Sequence, residues 1–370
     1  MNLNSPLLSL LLLFPLTIFS AQERFYLGAF TAPGKAEGIY TALLDPATGH
    51  LGPVTLAAKA NSPGYLALSP DAIHLYAVTT DGGGSVASYS IGRDGVLNFA
   101  NRVPSGGSDP CHLSTSGSNV FVANYGGGNI ACIHTDIDGS LGSFTQVIPF
   151  SGSGPNPIRQ KKPCAHCVIA DSACKFVYAC DLGTDHVWTC RFDSSSSQFR
   201  GLSDVQGKVP PGSGPRHFAF GPSENFAYVN GEMGRNITVF QRDKSTGSLD
   251  PIQTLPLVPD AAPDKSVYTA EVRCHPSGKW LYVSSRGDDI IAVFAIGPDG
   301  KLTFLQSSPA LVKFPRGFAI DPSGHWLISA GQNDNRLAVL SIDQTTGKLT
   351  PTAEHATAPT PVDVLFLPAP

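Results

Sequence analysis

The sequence predicts an all-β chain: a seven-bladed β-propeller of four-stranded antiparallel blades, closed by pairing N- and C-terminal strands in one blade. Three observations predict it. The first is that similar text recurs: GYLALSPDAIHLYAV from Gly64, CHLSTSGSNVFVAN from Cys111, AHCVIADSACKFVYAC from Ala165, PRHFAFGPSENFAYVN from Pro215, EVRCHPSGKWLYVSS from Glu271 and GFAIDPSGHWLISA from Gly317. The copies open at Pro63, Pro110, Pro163, Pro215, Ala270, Pro315 and Pro361, about 45–55 residues apart, which is the length of a four-stranded blade. The second is composition: Gly 38 and Pro 31 against only 15% charged residues suit short strands and tight turns rather than amphipathic helices. The third is that the two ends of the chain complement each other. The seventh copy, Pro361 to Pro368, has only its first strand, and the N-terminus supplies what that blade lacks.

Taken in order, Phe25–Phe30 reads as the second strand of that shared blade, Gly38–Leu44 as its third and Leu51–Ala60 as its fourth. The turn Asp45-Pro-Ala-Thr-Gly49 follows the third. Each full copy then repeats one pattern. A small apolar strand leads through a turn such as Gly221-Pro-Ser into a strand rich in aromatic and Val residues. Two further strands are joined by a Gly-bearing hairpin: Arg93-Asp-Gly95, Ile137-Asp-Gly139, Ser245-Thr-Gly247, Pro298-Asp-Gly300 or Thr346-Gly347. Such turns suit antiparallel hairpins. Pairing the two ends closes the ring and removes free sheet edges. A solenoid would need capping repeats instead.

The formal net charge of −4 gives no basic excess to neutralise phosphates, so nucleic acid is not an expected partner. Leu7–Phe19 is an apolar run broken by Pro15, followed by small Ser20 and Ala21 and polar Gln22-Glu23. It is shorter than a membrane span. Residues 1–21 are therefore read as a secretory signal and 22–370 as one domain, secreted or periplasmic, with no membrane association once the signal is removed. Five of the eight cysteines fall between Cys164 and Cys190. They read as small buried residues on neighbouring strands, with room for one bridge. Cys164-Ala-His-Cys167 has the spacing of zinc and redox motifs, but no second pair at matching spacing and no following helix accompany it.

First strands of blades line the central channel, with their early residues near one mouth. Aligning the copies puts Tyr65, His112, His166, His217, Glu271, Gly317 and Asp363 at one position. Gly64, Cys111, Ala165, Arg216, Ala270, Arg316 and Val362 precede them. A strand core favours apolar residues here, so the polar set asks for a reason. A wet channel is the structural one. The second strands end in Asn124, Asp181, Asn230-Gly231-Glu232, Ser285-Arg286 and Gln332-Asn333. Asn124 and Asp181 suit Asx turns. Glu232 is expected beside Arg216 and His217, and Arg286 beside Glu271. Arginines with carboxylates and histidines suit a small anionic substrate held by bidentate pairs, and acid–base chemistry. A metal site from His112, His166, His217, Glu271 and Asp363 is disfavoured, because non-adjacent blades stand too far apart for one small ion.

These stretches resemble the lactonase family of seven-bladed propellers, which includes propeller-type 6-phosphogluconolactonases and carboxy-muconate cyclases. The pieces that carry the resemblance are FYLGAFT at Phe25, VANYGGGNI at Val122, CAHCV at Cys164, DLGTDHV at Asp181, GSGPRHFAF at Gly212, AEVRCHPSGKWLYVSSRGDDIIAVF at Ala270 and FPRGFAIDPSG at Phe314. The resemblance implies a catalytic set of His166, Arg216, Glu232 and Arg286, with His217, Glu271, Arg316, His112 and Arg273 binding substrate. It implies hydrolysis of a small anionic or sugar lactone by a monomer without cofactor or metal. Arg216 and Arg286 would polarise the carbonyl, Glu232 activate water, and His166 protonate the leaving alkoxide. The alternatives are a lactonising enzyme like the muconate cyclases, or a non-catalytic ligand-binding propeller of the cell envelope. The sequence has no G-x-S-x-G elbow to suggest a serine nucleophile.

Overall fold

A computed structural model describes residues 22–31, 35–203, 207–260, 264 and 266–368. The expected leader lies outside them. Among the described residues the strands form seven antiparallel sheets. Blades one to six follow chain order. Their innermost strands are Leu66–Leu68, Pro110–Ser116, Ala165–Ala170, Pro215–Phe220, Tyr268–Cys274 and Pro315–Ile320. The seventh blade joins the ends: Pro361–Phe366 pairs with Glu23–Ala29, which pairs with Gly38–Leu44 and then Thr55–Lys59. The fourth strand of that blade is shorter than the expected Leu51–Ala60, because Leu51 makes only an isolated bridge to Leu44.

Burial follows the position of each strand in its blade. The second strands are sandwiched between neighbouring blades, so Phe176–Asp181 and Trp280–Arg286 are buried throughout. Outer strands such as Leu249–Pro256 show one face to solvent and carry polar side chains there. The apolar clusters lie between blades. One joins Tyr178 and Val187 of blade three to Phe218, Val229 and Phe240 of blade four. Within it the Tyr178 and Phe218 rings stack with centroids 5.4 Å apart.

The Gly-bearing hairpins do more than turn the chain. Gly247, Gly300 and Gly347 all hold positive φ, between 72° and 80°, where only glycine is unstrained. A Cβ on each would also run into an aromatic ring of the preceding blade: Phe176, Phe226 and Trp280 respectively. The carbonyls of the same three glycines accept hydrogen bonds from the hydroxyls of Tyr178, Tyr228 and Tyr282, at 3.0, 3.1 and 2.7 Å. Tyr26 of blade seven donates to Gly95 of blade one in the same way, at 3.0 Å. Each of these tyrosines stands on a second strand and latches its blade to the next one around the ring.

Register irregularities recur at the start of the inner strands. Pro110 pairs with Asn124 but His112 with Ala123, and Pro215 pairs with Gly231 but His217 with Asn230. Cys111 and Arg216 are thus the extra residues of β-bulges. In blade three Ala165 pairs with Asp181 and Cys167 with Cys180, so the extra residue is His166. This corrects the alignment read from sequence. His166 is the counterpart of Cys111 and Arg216, not of His112 and His217, whose place is taken by Cys167. Proline marks the strand opening in blades two, four, six and seven, but in blade three Ala165 occupies that position and Pro163 lies outside the strand.

Candidate active site

The bulges set the geometry of the site. An extra residue bends the strand and re-aims its side chain, so Arg216 and His217 both reach the channel although they are neighbours in sequence. With Arg316 and the ends of the second strands they enclose a cavity of about 430 Å³ at one mouth. His166, Arg216, His217, Glu232, Glu271, Arg286 and Arg316 all line it. His112 and Arg273 do not. His112 stacks beneath on Tyr65, with centroids 4.1 Å apart. Arg273 reaches the Tyr65 hydroxyl at 3.1 Å and Glu271 at 3.3 Å, one layer down the channel.

Glu232 is the centre of the cluster. Its Oε2 accepts from Arg216 Nε at 3.0 Å and pairs with Arg286 Nη2 at 3.0 Å. Its Oε1 accepts from Arg159 Nη2 at 2.8 Å. Burial alone would raise the Glu232 carboxyl. Arg286 and Arg216, then His166 and Arg159, outweigh it and hold the group well below the usual carboxylate range. Arg286 pairs with this carboxylate and not with Glu271, which corrects the sequence expectation. The backbone carbonyl of Glu232 accepts from Thr269 N at 3.2 Å, so the end of blade four's second strand lies against blade five. Arg286 donates to Thr269 O at 2.8 Å and meets Glu232 there.

Glu271 serves His217 instead. Arg216 Nη1 donates to His217 Nε2 at 3.0 Å, which leaves the proton on Nδ1, and Nδ1 donates to Glu271 Oε1 at 3.1 Å. Burial and the Arg216 charge keep His217 well below its ordinary pKa, so it is neutral. His166 stands edge-on to His217 and to Tyr125, with centroids 5.4 and 5.6 Å away. Burial, then Arg216 and His217, depress its pKa too, while Glu232 acts in the opposite direction. Its Nδ1 has no hydrogen-bond partner among the described residues.

Arg316 differs from the other cations. It makes no hydrogen bond or ion pair among the described residues, and its guanidinium lies 5.0 Å from the centroid of Phe30. Burial, then Arg216 and Arg286, lower its pKa to about 9, which leaves it charged at neutral pH. The site thus holds a positive charge that no carboxylate neutralises directly.

Arg159 escapes the repeat alignment because it lies in the connection between blades two and three. Asn156 builds this loop: its Oδ1 accepts from Ile158 N and Arg159 N, both at 3.0 Å. Buried Gln160 pins it by donating to Leu182 O and Asp185 Oδ1, both at 2.8 Å. The length of this connection is the one sequence signal that points to it. Asp181 serves a turn, as expected: it accepts from Cys164 N at 2.6 Å and Gly183 N at 3.0 Å. Asn124 braces its turn by side chain, donating to Asn129 Oδ1 at 2.8 Å.

All eight cysteines are free thiols, so no bridge forms among the cluster in blade three. Cys167 Sγ instead lies 3.5 Å from His112 Nε2. Among the described residues no group of three or more His, Cys, Asp and Glu is placed to hold a metal ion. No helix among them is long and apolar enough to cross a membrane.

Residues 24–366 match the family described as Lactonase, 7-bladed beta-propeller. The chain is 34% identical over 347 residues to a 6-phosphogluconolactonase of Bacillus subtilis, covering 92% of this chain and 97% of that one. It is 32% identical to a 6-phosphogluconolactonase of Pectobacterium atrosepticum, over 86% of this chain and 93% of the other. Among solved structures it superposes on the periplasmic gluconolactonase of Pseudomonas aeruginosa with a TM-score of 0.87, at 29% identity, covering 95% of this chain and 100% of that chain. The seven blades, the closure of the ring and these matches over nearly the whole length lead to one conclusion: the chain belongs to the seven-bladed β-propeller lactonase family.

Proposed function

We propose that the protein hydrolyses the lactone of a sugar acid at this channel mouth. The observation that carries the reading is Arg316, a half-buried cation with no carboxylate partner, beside two neutral histidines and the Arg216–Glu232–Arg286 cluster. Opening a lactone places negative charge on the carbonyl oxygen as water adds. Cations fixed in advance around that oxygen stabilise the transition state more than the ground state. Arg316 and Arg286 are assigned that task.

The roles of His166 and Glu232 differ from the sequence expectation. A carboxylate held by three guanidiniums is a weak proton acceptor, and a neutral imidazole has no spare proton to give. His166 is therefore assigned as the base. It takes a proton from water as the C–O bond forms, and the imidazolium so made is stabilised by Glu232. It returns that proton to the ring oxygen when the tetrahedral intermediate collapses and the C–O bond of the ring breaks. Glu232 stays ionised throughout and keeps Arg216, Arg286 and Arg159 in place, a division of labour like that of His and Asp in hydrolytic triads.

The test is a pH-stat assay on a panel of aldonolactones, with and without phosphate. His166→Gln is expected to lower kcat by about 10²–10⁴-fold. Turnover near the wild-type value in that variant removes His166 as base. No wild-type activity above background on any lactone removes the reading altogether. Export of the mature chain is also proposed, from the apolar segment near the N-terminus. Finding the leader intact on protein isolated from its native cells would refute it.

A further inference from the structure

We infer that Arg159 is the specificity residue that reads a second anionic group on the lactone, at the end remote from the carbonyl. The inference rests on the hydrolytic reading above and extends it to substrate class. Depth in the cavity separates the arginines around Glu232. The side chains of Arg216 and Arg286 are 2% and 6% exposed, whereas that of Arg159 is 36% exposed. A lactone whose carbonyl meets the deep cations therefore points its far end at the rim, where Arg159 stands.

The hydrogen bonds of Arg159 leave it equipped for this. A single nitrogen, Nη2, makes both of its contacts, to Glu232 Oε1 at 2.8 Å and to the Tyr125 hydroxyl at 3.2 Å. Nε and Nη1 make no hydrogen bond among the described residues. The guanidinium is thus held in orientation through one corner while the donors on its other two nitrogens stay open. Phosphate and carboxylate oxygens are the natural acceptors for such donors. The flanking sequence adds charge of the same sign. Lys161 is exposed, and Lys162 donates to Gly126 O at 2.6 Å on the adjoining turn.

The loop does not depend on Arg159 for its shape. Asn156 and Gln160 make the bonds that fold and anchor it. Because the loop lies outside the blade repeat, Arg159 can be replaced without disturbing a strand. The chemical class assigned is an aldonic acid lactone bearing a terminal phosphate monoester or carboxylate. Both groups present anionic oxygens to the same open donors.

The experiment compares kcat/KM for δ-gluconolactone, its 6-phosphate and a lactone carrying a terminal carboxylate, in the wild type, Arg159→Gln and Arg159→Lys. The wild type is expected to favour a charged lactone over the neutral one, and the two charged lactones identify which group is read. In Arg159→Gln that preference should fall by about 10–100-fold, the worth of a hydrogen-bonded charge pair. Arg159→Lys should recover part of it. An equal loss on all three substrates, or a wild type without preference, overturns the inference while leaving hydrolysis intact. Calorimetric binding of gluconate and 6-phosphogluconate supplies a readout that needs no turnover. If no lactone is hydrolysed, the proposed function fails. Arg159 then stands or falls on whether its Gln variant loses a preference for the phosphorylated acid.

Discussion

Arg316 and Glu232 show how differently two charges are treated within one cavity. Glu232 is surrounded by cations, while Arg316 rests on the face of Phe30 and meets no anion. His166 lies between these extremes, and its state sets the pH response. A base must be unprotonated, so activity disappears as pH falls through its pKa. Burial and the neighbouring arginines place that pKa below the ordinary 6.5. The expected profile of kcat/KM therefore stays level as pH falls through 6.5 and declines only below it. An acid limb at or above that pH in a pH-stat series would contradict the assignment. Arg316→Gln should weaken transition-state binding by about 2–4 kcal/mol, read as a fall in kcat/KM. At this scale the sequence discloses residue types better than positions. His166 is recognisable, but its slip by one place is not, because Pro163 imitates the proline that opens other blades. Arg159 carries no repeat signature at all. The Arg286–Glu232 pair crosses between blades, a contact that alignment within a blade does not reveal.

The strand, the bulge and the hairpin are the elements that convert a repeated pattern into one asymmetric site. Alternation and turn chemistry are enough to read the strands, since each depends on local chain geometry. The bulges leave no mark, because one added residue alters neither composition nor spacing visibly. The hairpin glycines read as turn formers, and the structure adds that each lies against a ring of the preceding blade. Two substitutions separate these duties. Tyr282→Phe removes the hydroxyl whose hydrogen bond Gly347 O accepts, yet keeps the ring in its cluster between blades five and six. It should cost about 1 kcal/mol. Gly347→Ala meets both the positive φ and the Trp280 ring, so its cost should be distinctly larger. Urea unfolding of both variants measures the difference. Equal losses would show that the latch, rather than the close approach, dominates. Arg242 makes a different pin between blades three and four: it pairs with Asp171, meets Glu224 at 3.2 Å and donates to the Tyr178 hydroxyl at 2.7 Å.

At the scale of the whole molecule, the ring has one seam, where Pro361–Phe366 and Glu23–Ala29 pair in the seventh blade. This closure is legible because the first and last segments each lack what the other supplies. A chain truncated before Pro361 would lose the inner strand of that blade and bare the edge of Glu23–Ala29. Exposed edges recruit other chains, so the truncated protein is expected to associate or precipitate, which light scattering would register. A truncated chain that stayed dispersed with full activity would show that the seam is dispensable.

The register of that seam also fixes where the two described ends leave the molecule. Ala29 pairs with Pro361 beside the cavity, while Phe25 pairs with Phe366 at the far side of the blade. Both ends therefore emerge from the face opposite the opening. A linker attached to either one can hold the protein on a bead, an electrode or a carrier with its entrance turned outward. Immobilised through the C-terminus, the protein should keep the KM it has in solution, whereas coupling through Lys161 at the rim should raise it.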